Sequence, residues 1–403
     1  MNDSCIAAVK IDQDLCSRCA VCYSLCPFEA IERRSEDGRL RIDIQKCQVC
    51  GICYSSCPSA AIDMAYYDYD DLIGNVQELR VQEKADTLVV MCRGNTANKD
   101  EVKEILSQNG LEGCGHISIR VPCAGRIPTD FIFKSLNLGF QRIVSVQCQD
   151  GFCRMKEGTG IETRRLMLSK AVLKQLGFAE DSLIMIKHSR KAVWISKECV
   201  GCGKCYFICP YEAILAEPFS SPRVLTDKCV GCGACQLVCP HHAIQVKGFE
   251  FDTILNSYQR LASKMKASNK APAIMVFSCQ WSEYSALDDP LKLLKEHNAI
   301  VLEVPCFKGL DPVHMINALR SGFDGVMAVI CPAKDCKLQK GRDTSERQLE
   351  VLLSIIERYG LRDRFEVHEL SPRCEGEFDR RFRDFIQKIS TLSRCGRDAQ
   401  GGM

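Results

Sequence analysis

One cadence of eight cysteines appears twice in this chain, and no other feature limits its fold as tightly. The first set is Cys16, Cys19, Cys22 and Cys26-Pro27, followed by Cys47, Cys50, Cys53 and Cys57-Pro58. The second is Cys199, Cys202, Cys205 and Cys209-Pro210, followed by Cys229, Cys232, Cys235 and Cys239-Pro240. Two residues between cysteines let a tight turn aim successive sulfurs at one point. The chain holds 28 cysteines among 403 residues, grouped in runs along its whole length. That grouping is a metal-ligand pattern and excludes a small secreted disulfide scaffold. Thiolates used this way must stay reduced, which predicts a cytoplasmic, anaerobic setting.

Each half-run reads C-x2-C-x2-C-x3-C-P, the spacing of bacterial ferredoxins that hold [4Fe–4S] clusters, in which the fourth cysteine ligates the neighbouring cluster. Cys16, Cys19, Cys22 and Cys57 are therefore expected to hold one cluster, and Cys47, Cys50, Cys53 and Cys26 its neighbour. In the second set the groups are Cys199, Cys202, Cys205 and Cys239, then Cys229, Cys232, Cys235 and Cys209. Paired four-cysteine zinc sites are the competing reading, but zinc needs neither the third C-x2-C step nor the Cys-Pro. Modules this short bury too little apolar surface to fold well alone, so their folding is expected to depend on metal. The phrase Cys-Pro-x-x-Ala-Ile closes every half-run, at 26–31, 57–62, 209–214 and 239–244. It predicts a short helix after each fourth cysteine, with the isoleucines shielding the clusters.

An offset of 183 residues carries Cys16 to Cys199, Cys123 to Cys306, Cys148 to Cys331 and Cys153 to Cys336, and an offset of 187 carries Cys92 to Cys279. Chance does not align so many cysteines, so the chain reads as an internal duplication. Each copy is a ferredoxin module followed by a second module that alternates strand and helix. Apolar runs at Leu88–Met91, Ile117–Val121, Ile143–Val146 and Leu183–Ile186 are the expected strands of the first. Ile274–Phe277, Ala299–Val304, Val326–Ile330 and Phe365–Leu370 are those of the second. Helical spacing falls between them, at Lys99–Asn109, Thr129–Leu138 and Thr163–Leu176, then Leu291–His297, Val313–Arg320 and Ser345–Tyr359. Polar connectors run over Tyr66–Glu83 and Phe251–Lys266, with a linker at Ser268–Pro272 and an extra helix at Phe378–Leu392. Continuous apolar strands alternating with helices argue for a parallel sheet covered on both faces. The expected fold class is α/β and α+β multidomain, with each ferredoxin module followed by a flavodoxin-like or Rossmann-like sheet module. The expected divisions are 1–70, 71–190, 191–250 and 251–403.

In open parallel sheets the functional crevice lies beyond the carboxyl ends of the strands. Cys92, Cys123, Cys148 and Cys153 follow strands in this way, as do Cys279, Cys306, Cys331 and Cys336. Four convergent thiolates with a C-x4-C step suit a [2Fe–2S] cluster. A structural zinc site, or one cysteine per set serving as a mere core residue, are the alternatives.

Several phrases here resemble a known family. They are Ser278-Cys279-Gln280-Trp281-Ser282-Glu283-Tyr284, Pro122-Cys123-Ala124-Gly125-Arg126, and Cys148-Gln149-Asp150-Gly151-Phe152-Cys153 with Gly158 and Thr163-Arg164-Arg165. Cys331 to Cys336 with Gly341 and Ser345-Glu346-Arg347 repeats the last. The second module resembles the iron–sulfur delta subunit that links methyl-viologen-type hydrogenase to heterodisulfide reductase. Near the first cysteine the chain departs from that family, with Ser278 and Ser282, or Arg93 and Asn95, where the family has further cysteines. The resemblance implies one [2Fe–2S] cluster per module and electron transfer to a flavin-containing partner.

The remaining features are weaker. Arg126 and Lys308 closely follow the second-strand cysteines. They read equally as counter-charges to an anionic cluster or as solvated surface charges. His241-His242, beside the Cys239-Pro240 turn, reads as an exposed loop pair. Formal net charge is +2, so nothing points to nucleic acid or an anionic membrane. No stretch reaches the ~18 apolar residues of a membrane span. No dinucleotide fingerprint or acid–base pair suggests substrate chemistry.

The expected function is a cytoplasmic electron-transfer subunit with four [4Fe–4S] and two [2Fe–2S] clusters. Its expected partners are a heterodisulfide reductase A-like protein, which carries the FAD, and a hydrogenase, formate dehydrogenase or similar donor. The rival is a self-contained disulfide or small-molecule reductase.

Overall fold

The computed structural model describes residues 5–66, 68–94, 99–215, 222–267, 272–283, 296–338 and 341–398. The chain divides into two compact units, residues 1–190 and 191–403. Each contains one ferredoxin module and one parallel-sheet module. Most of the expected Ser268–Pro272 linker and of the Leu291–His297 helix lies outside the described residues.

In the first ferredoxin module, β1 (Val9–Ile11) pairs with β4 (Ile62–Met64), and β2 (Ile31–Arg33) pairs with β3 (Leu40–Ile42), both antiparallel. Between them lie two five-residue helices, α1 (Val21–Leu25) and α2 (Ile52–Ser56). The apolar interior combines Val9, Ile31, Leu40, Ile62 and Met64 with the cysteines themselves, so the cysteines stand where a core would be. The second unit repeats this plan. There β9 (Ala192–Trp194) pairs with β12 (Ile244–Val246), β10 (Ile214–Leu215) pairs with β11 (Arg223–Val224), and the helices are α7 (Lys204–Ile208) and α8 (Ala234–Val238).

The expected helix after each fourth cysteine does not form. The short helices precede those cysteines, and Cys-Pro-x-x-Ala-Ile is a turn that leads into a strand. Its third residue after the cysteine is left-handed, with φ of 51° at Glu29, 49° at Ala60, 50° at Glu212 and 49° at His242. That conformation ends helical progress. It also turns the following amide, not toward a carbonyl, but toward the cysteine sulfur.

A helix, α3 (Tyr69–Glu83), capped at Asp68 by hydrogen bonds from the Asp70 and Asp71 amides, leads to the first sheet. That sheet is wholly parallel. Its strands are β5 (Thr87–Cys92), β6 (His116–Val121), β7 (Arg142–Cys148) and β8 (Leu183–His188), in the order β6-β5-β7-β8. On one face α4 (Lys99–Gln108) places Val102, Ile105 and Leu106 against Val89, Val144 and Ile186. On the other, α5 (Thr129–Asn137) and α6 (Gly158–Gln175) bury Ile132, Leu136, Leu166 and Leu173 against Ile143 and Leu183.

The second sheet follows α9 (Phe251–Ala267) and contains β13 (Ile274–Cys279), β14 (Ala299–Val304), β15 (Gly325–Ile330) and β16 (Phe365–Glu369), ordered β14-β13-β15-β16. The helices α10 (Val313–Ser321) and α11 (Gly341–Arg358) follow β14 and β15. The C-terminal helix α12 (Glu377–Asp398) packs Phe378, Phe382, Phe385 and Ile389 onto Ile274, Val276, Met327 and Val329. Glu283 caps it by accepting from the amides of Glu377 and Phe378. The helices α6 and α11 begin several residues before their amphipathic patterns do, each at a glycine. No helix among the described residues is long and apolar enough to cross a membrane.

Candidate metal centres

Each ferredoxin half-run folds the same way. A left-handed residue after the second cysteine, such as Ala20 (φ 60°) or Gly233 (φ 84°), starts the short helix that carries the third cysteine inward. The fourth cysteine then ends in the Cys-Pro turn. The sulfurs gather in the exchanged sets. Burial raises the Cys22 thiol, and so do its neighbours Cys57, Cys16 and Cys19. Cys53 is pushed well up by burial and by Cys50, Cys47 and Cys26. Burial likewise raises Cys205, with Cys239 and Cys202 adding to it, and Cys235, with Cys232, Cys229 and Cys209. One cavity is lined by Cys26, Cys47, Cys50 and Cys53, and another by Cys199, Cys202, Cys205 and Cys239. Clustered buried thiolates repel one another and lack water, so a cation bound among them would stabilise them.

Backbone amides point at these sulfurs. Ala30 donates to Cys26 Sγ at 3.3 Å, Ala61 to Cys57 at 3.3 Å, Ala213 to Cys209 at 3.4 Å and Ala243 to Cys239 at 3.2 Å. Any residue but proline could donate this bond, which spacing of the letters does not reveal; the recurrent alanine itself is a small side chain at a buried position in all four turns. Such hydrogen bonds to cluster sulfurs are one of the levers on reduction potential. His242 does not lie free in its loop; it is half-buried and stacks on Phe251 at 4.5 Å.

At the first sheet edge, Cys148 Sγ lies 3.5 Å from Cys92 Sγ, within reach of a hydrogen bond. Cys153 accepts from Cys123 and from Thr159, which lowers it to about 5. At the second, Cys279 and Cys331 lie 3.7 Å apart. Cys331 is raised chiefly by its contact with Cys279 and also bonds Cys336. Burial pushes Cys306 up to about 12, with Cys336 adding to it. All eight expected cysteines are thus brought together, four at each edge. In place of the family's further cysteines, Ser278 and Ser282 bond each other at 3.0 Å.

Glycine makes room for the sulfurs at both edges. A Cβ on Gly158 would lie 2.3 Å from Cys123 Sγ and 3.4 Å from Cys153 Sγ. On Gly341 it would lie 2.9 Å from Cys336 Sγ and 3.0 Å from Cys306 Sγ. The first turn of each long helix is therefore bare where the sulfurs crowd. The Cys331–Cys336 loop is pinned by a buried ion pair, Arg373 Nε to Asp335 Oδ1 at 2.6 Å, and by Ser371 Oγ donating to Asp335 Oδ2 at 2.6 Å. In the first unit Arg165 takes a comparable part. It donates to the carbonyls of Gly125 and Ile127 and to Ser56 Oγ, tying the ferredoxin module to the sheet edge.

Each ferredoxin module meets its sheet at the cysteines. The Cys50 thiol stands close enough to Cys123 to raise it, and Cys232 close enough to Cys306 to do the same. Cys232, Cys306 and Leu338 share one buried cluster.

Thiolate sets of this kind, on two ferredoxin modules and two sheet edges, define an iron–sulfur protein. Comparison with known proteins agrees. Residues 8–67 and 192–246 each match a 4Fe-4S dicluster domain. Residues 115–198 and 274–393, together half of the chain, match the methyl-viologen-reducing hydrogenase delta subunit. The chain belongs to that family.

Among similar proteins is the D-type iron-sulfur component of the F420-non-reducing hydrogenase vhc of Methanococcus voltae, 26% identical over 32% of this chain and 92% of its own length. The A-type component of the ferredoxin/F(420)H(2)-dependent CoB-CoM heterodisulfide reductase of Methanosarcina acetivorans is 29% identical over 49% of this chain and 25% of its own. The A-type component of the ferredoxin:CoB-CoM heterodisulfide reductase of Methanosarcina mazei is 27% identical over 37% of this chain and 19% of its own. The chain thus spans a quarter or less of the two heterodisulfide reductase components it matches.

Proposed function

We propose that this chain is the electron-relay subunit of an anaerobic, cytoplasmic multi-subunit oxidoreductase. It carries electrons between a donor of the hydrogenase or formate dehydrogenase kind and an FAD-containing, heterodisulfide reductase A-like protein. Four [4Fe–4S] and two [2Fe–2S] clusters would reside on it, held by the exchanged ferredoxin sets and by the two sheet-edge sets, Cys92 and Cys279 included. The observation that carries this reading is the meeting of ferredoxin and sheet-edge cysteines, Cys50 with Cys123 and Cys232 with Cys306.

Bound clusters supply one-electron redox capacity at each site. The chain's own residues hold the sulfurs at fixed separations, exclude water and donate amide hydrogen bonds to them. Ile31, Ile42 and Met64 line the wall of one site. The matching strand orders of the two sheets support an internal duplication with the divisions 1–70, 71–190, 191–250 and 251–403. They also support a flavodoxin-like plan, since the order β6-β5-β7-β8 follows the same sequence as the first four strands of that fold. Nothing observed favours a self-contained reductase.

The test is metal and spectroscopic analysis of anaerobically prepared chain. About twenty irons per chain, from cluster stoichiometry, with dithionite-reducible signals and little zinc, is the expected result. Stoichiometric zinc, or colourless protein, overturns the reading. Co-purification should recover a flavin-containing partner, and its absence from the native complex refutes that assignment.

A further inference from the structure

Each unit buries a cation where its ferredoxin module meets its sheet module. In the first it is Arg126, 3% exposed, and in the second Lys308, 1% exposed. Both lie in the single 3-10 turn after the second-strand cysteine, Ala124–Arg126 or Phe307–Gly309. Yet the offset of 183 pairs Arg126 with Gly309 and Lys308 with Gly125. The charges do not occupy matching positions.

Packing explains the exchange. In the first unit a Cβ on Gly125 would lie 2.7 Å from the Gly158 carbonyl oxygen, so no side chain fits there. Arg126 instead lies over Gly51, whose added Cβ would be 2.8 Å from Arg126 Cβ. In the second unit the backbone of Gly309 fills the corresponding space, its Cα 2.8 Å from a Cβ added to Gly233. There the cation moves one residue earlier. Two backbone arrangements thus each bury one positive charge where a ferredoxin module meets its sheet.

That charge stands beside the cysteines. The Arg126 guanidinium lies over Gly51, next to Cys50, with Nε 2.9 Å and Cζ 3.2 Å from a Cβ added there, and it belongs to the turn that Cys123 opens. Lys308 belongs to the turn that Cys306 opens, and Cys306 packs with Cys232 in one buried cluster. Arg126 is held by a 2.8 Å bond to the Tyr66 carbonyl and touches Met64 Sδ at 3.6 Å. Met64 lines the cavity of Cys26, Cys47, Cys50 and Cys53. Lys308 Nζ lies 5.6 Å from the centre of the Tyr211 ring, two residues beyond Cys209.

We propose that Arg126 and Lys308 are shared counter-charges, each raising together the reduction potentials of the ferredoxin centre and the sheet-edge centre that flank it. The inference rests on the cluster reading above. Reduction adds negative charge, and a buried cation at low dielectric stabilises the reduced form. Because one charge serves both centres, it shifts both in the same direction and disturbs the step between them less than it moves either one. These are positioning residues, acting on the centres through the field they impose.

The test is an EPR-monitored redox titration of the full chain, prepared anaerobically, as wild type, Lys308→Met, Lys308→Arg, Arg126→Met and Arg126→Lys. Lys308→Met should lower the potentials of two second-unit centres and leave the first unit's unchanged, while Lys308→Arg stays near wild type. Arg126→Met and Arg126→Lys should repeat the pattern in the first unit. Unchanged potentials in neutral variants of full iron content overturn the proposal. So does a Lys308→Arg shift as large as that of Lys308→Met. Loss of iron from the neutral variants alone would make the charge a requirement for assembly, and overturns the tuning role. A wild-type chain without reducible signals sinks the cluster reading instead, so the two failures are distinct.

Discussion

Gly158 and Gly341 open long helices directly against cysteine sulfurs, leaving no room for a methyl group. Gly158→Ala should therefore abolish the first sheet-edge signal while the ferredoxin signals and the second sheet-edge signal persist. Spin quantitation with iron analysis checks this, and an undiminished first-edge signal would remove Cys123 from the ligand set. Glu162, one turn further along α6, is buried and carries a carboxyl raised to about 8, because burial outweighs the attraction of Arg165. The unfolded chain ionises this group near pH 4.5, whereas the folded chain retains the proton until about pH 8. Stability contributed by the neutral form is complete at low pH and is lost as pH rises through that window. Glu162→Gln should thus stabilise the protein by on the order of a few kcal/mol at pH 8.5 and much less at pH 5.5. Anaerobic thermal melts at the two pH values measure it, and a pH-independent difference refutes it. Of these residues, the cysteines were legible from spacing alone. Glu162 was not, because burial is a property of the neighbours that cover a side chain.

At the scale of elements, alternating apolar runs revealed the strands well, since a strand covered on both faces has to be apolar throughout. The helix expected after each fourth cysteine failed for a local reason that the letters conceal. A left-handed residue and an amide committed to sulfur leave no helical hydrogen bond to continue. The extra helix α12 is placed by its phenylalanines, and Phe382→Ala should cost about 3–5 kcal/mol, the usual loss for emptying a buried aromatic site. Urea unfolding tests it, and a loss below about 1 kcal/mol would mean the helix contributes little cover. Arg373→Met leaves Asp335 buried without its counter-charge, with Ser371 still bonding it, and breaking a buried pair typically costs about 3–5 kcal/mol. Because Asp335 lies inside the Cys331–Cys336 loop, that variant should also weaken the second sheet-edge signal selectively. A normal signal in a destabilised protein would confine the ion pair to a structural part.

Across the whole molecule, the ferredoxin modules should depend on metal more than the sheets do. Cysteines make up a third or more of their interior clusters, whereas each sheet has apolar clusters on its faces. Removing iron with a chelator should expose 8–66 and 192–246 to protease first, while most helical circular dichroism persists. Equal resistance of both module types after iron removal would contradict this.

Covalent spacing alone determined which ferredoxin cysteines gather, the alternation of strand and helix, and the sheet-edge cysteines, because each depends on geometry within a few residues or on a period along the chain. Only the tertiary structure decided that Arg126 and Lys308 are buried, that Cys50 stands by Cys123 and Cys232 by Cys306, and that glycine and cation exchange places between the units. Those outcomes depend on which surfaces pack together after the elements form. A residue written between polar neighbours carries no mark of the surface that will later close over it.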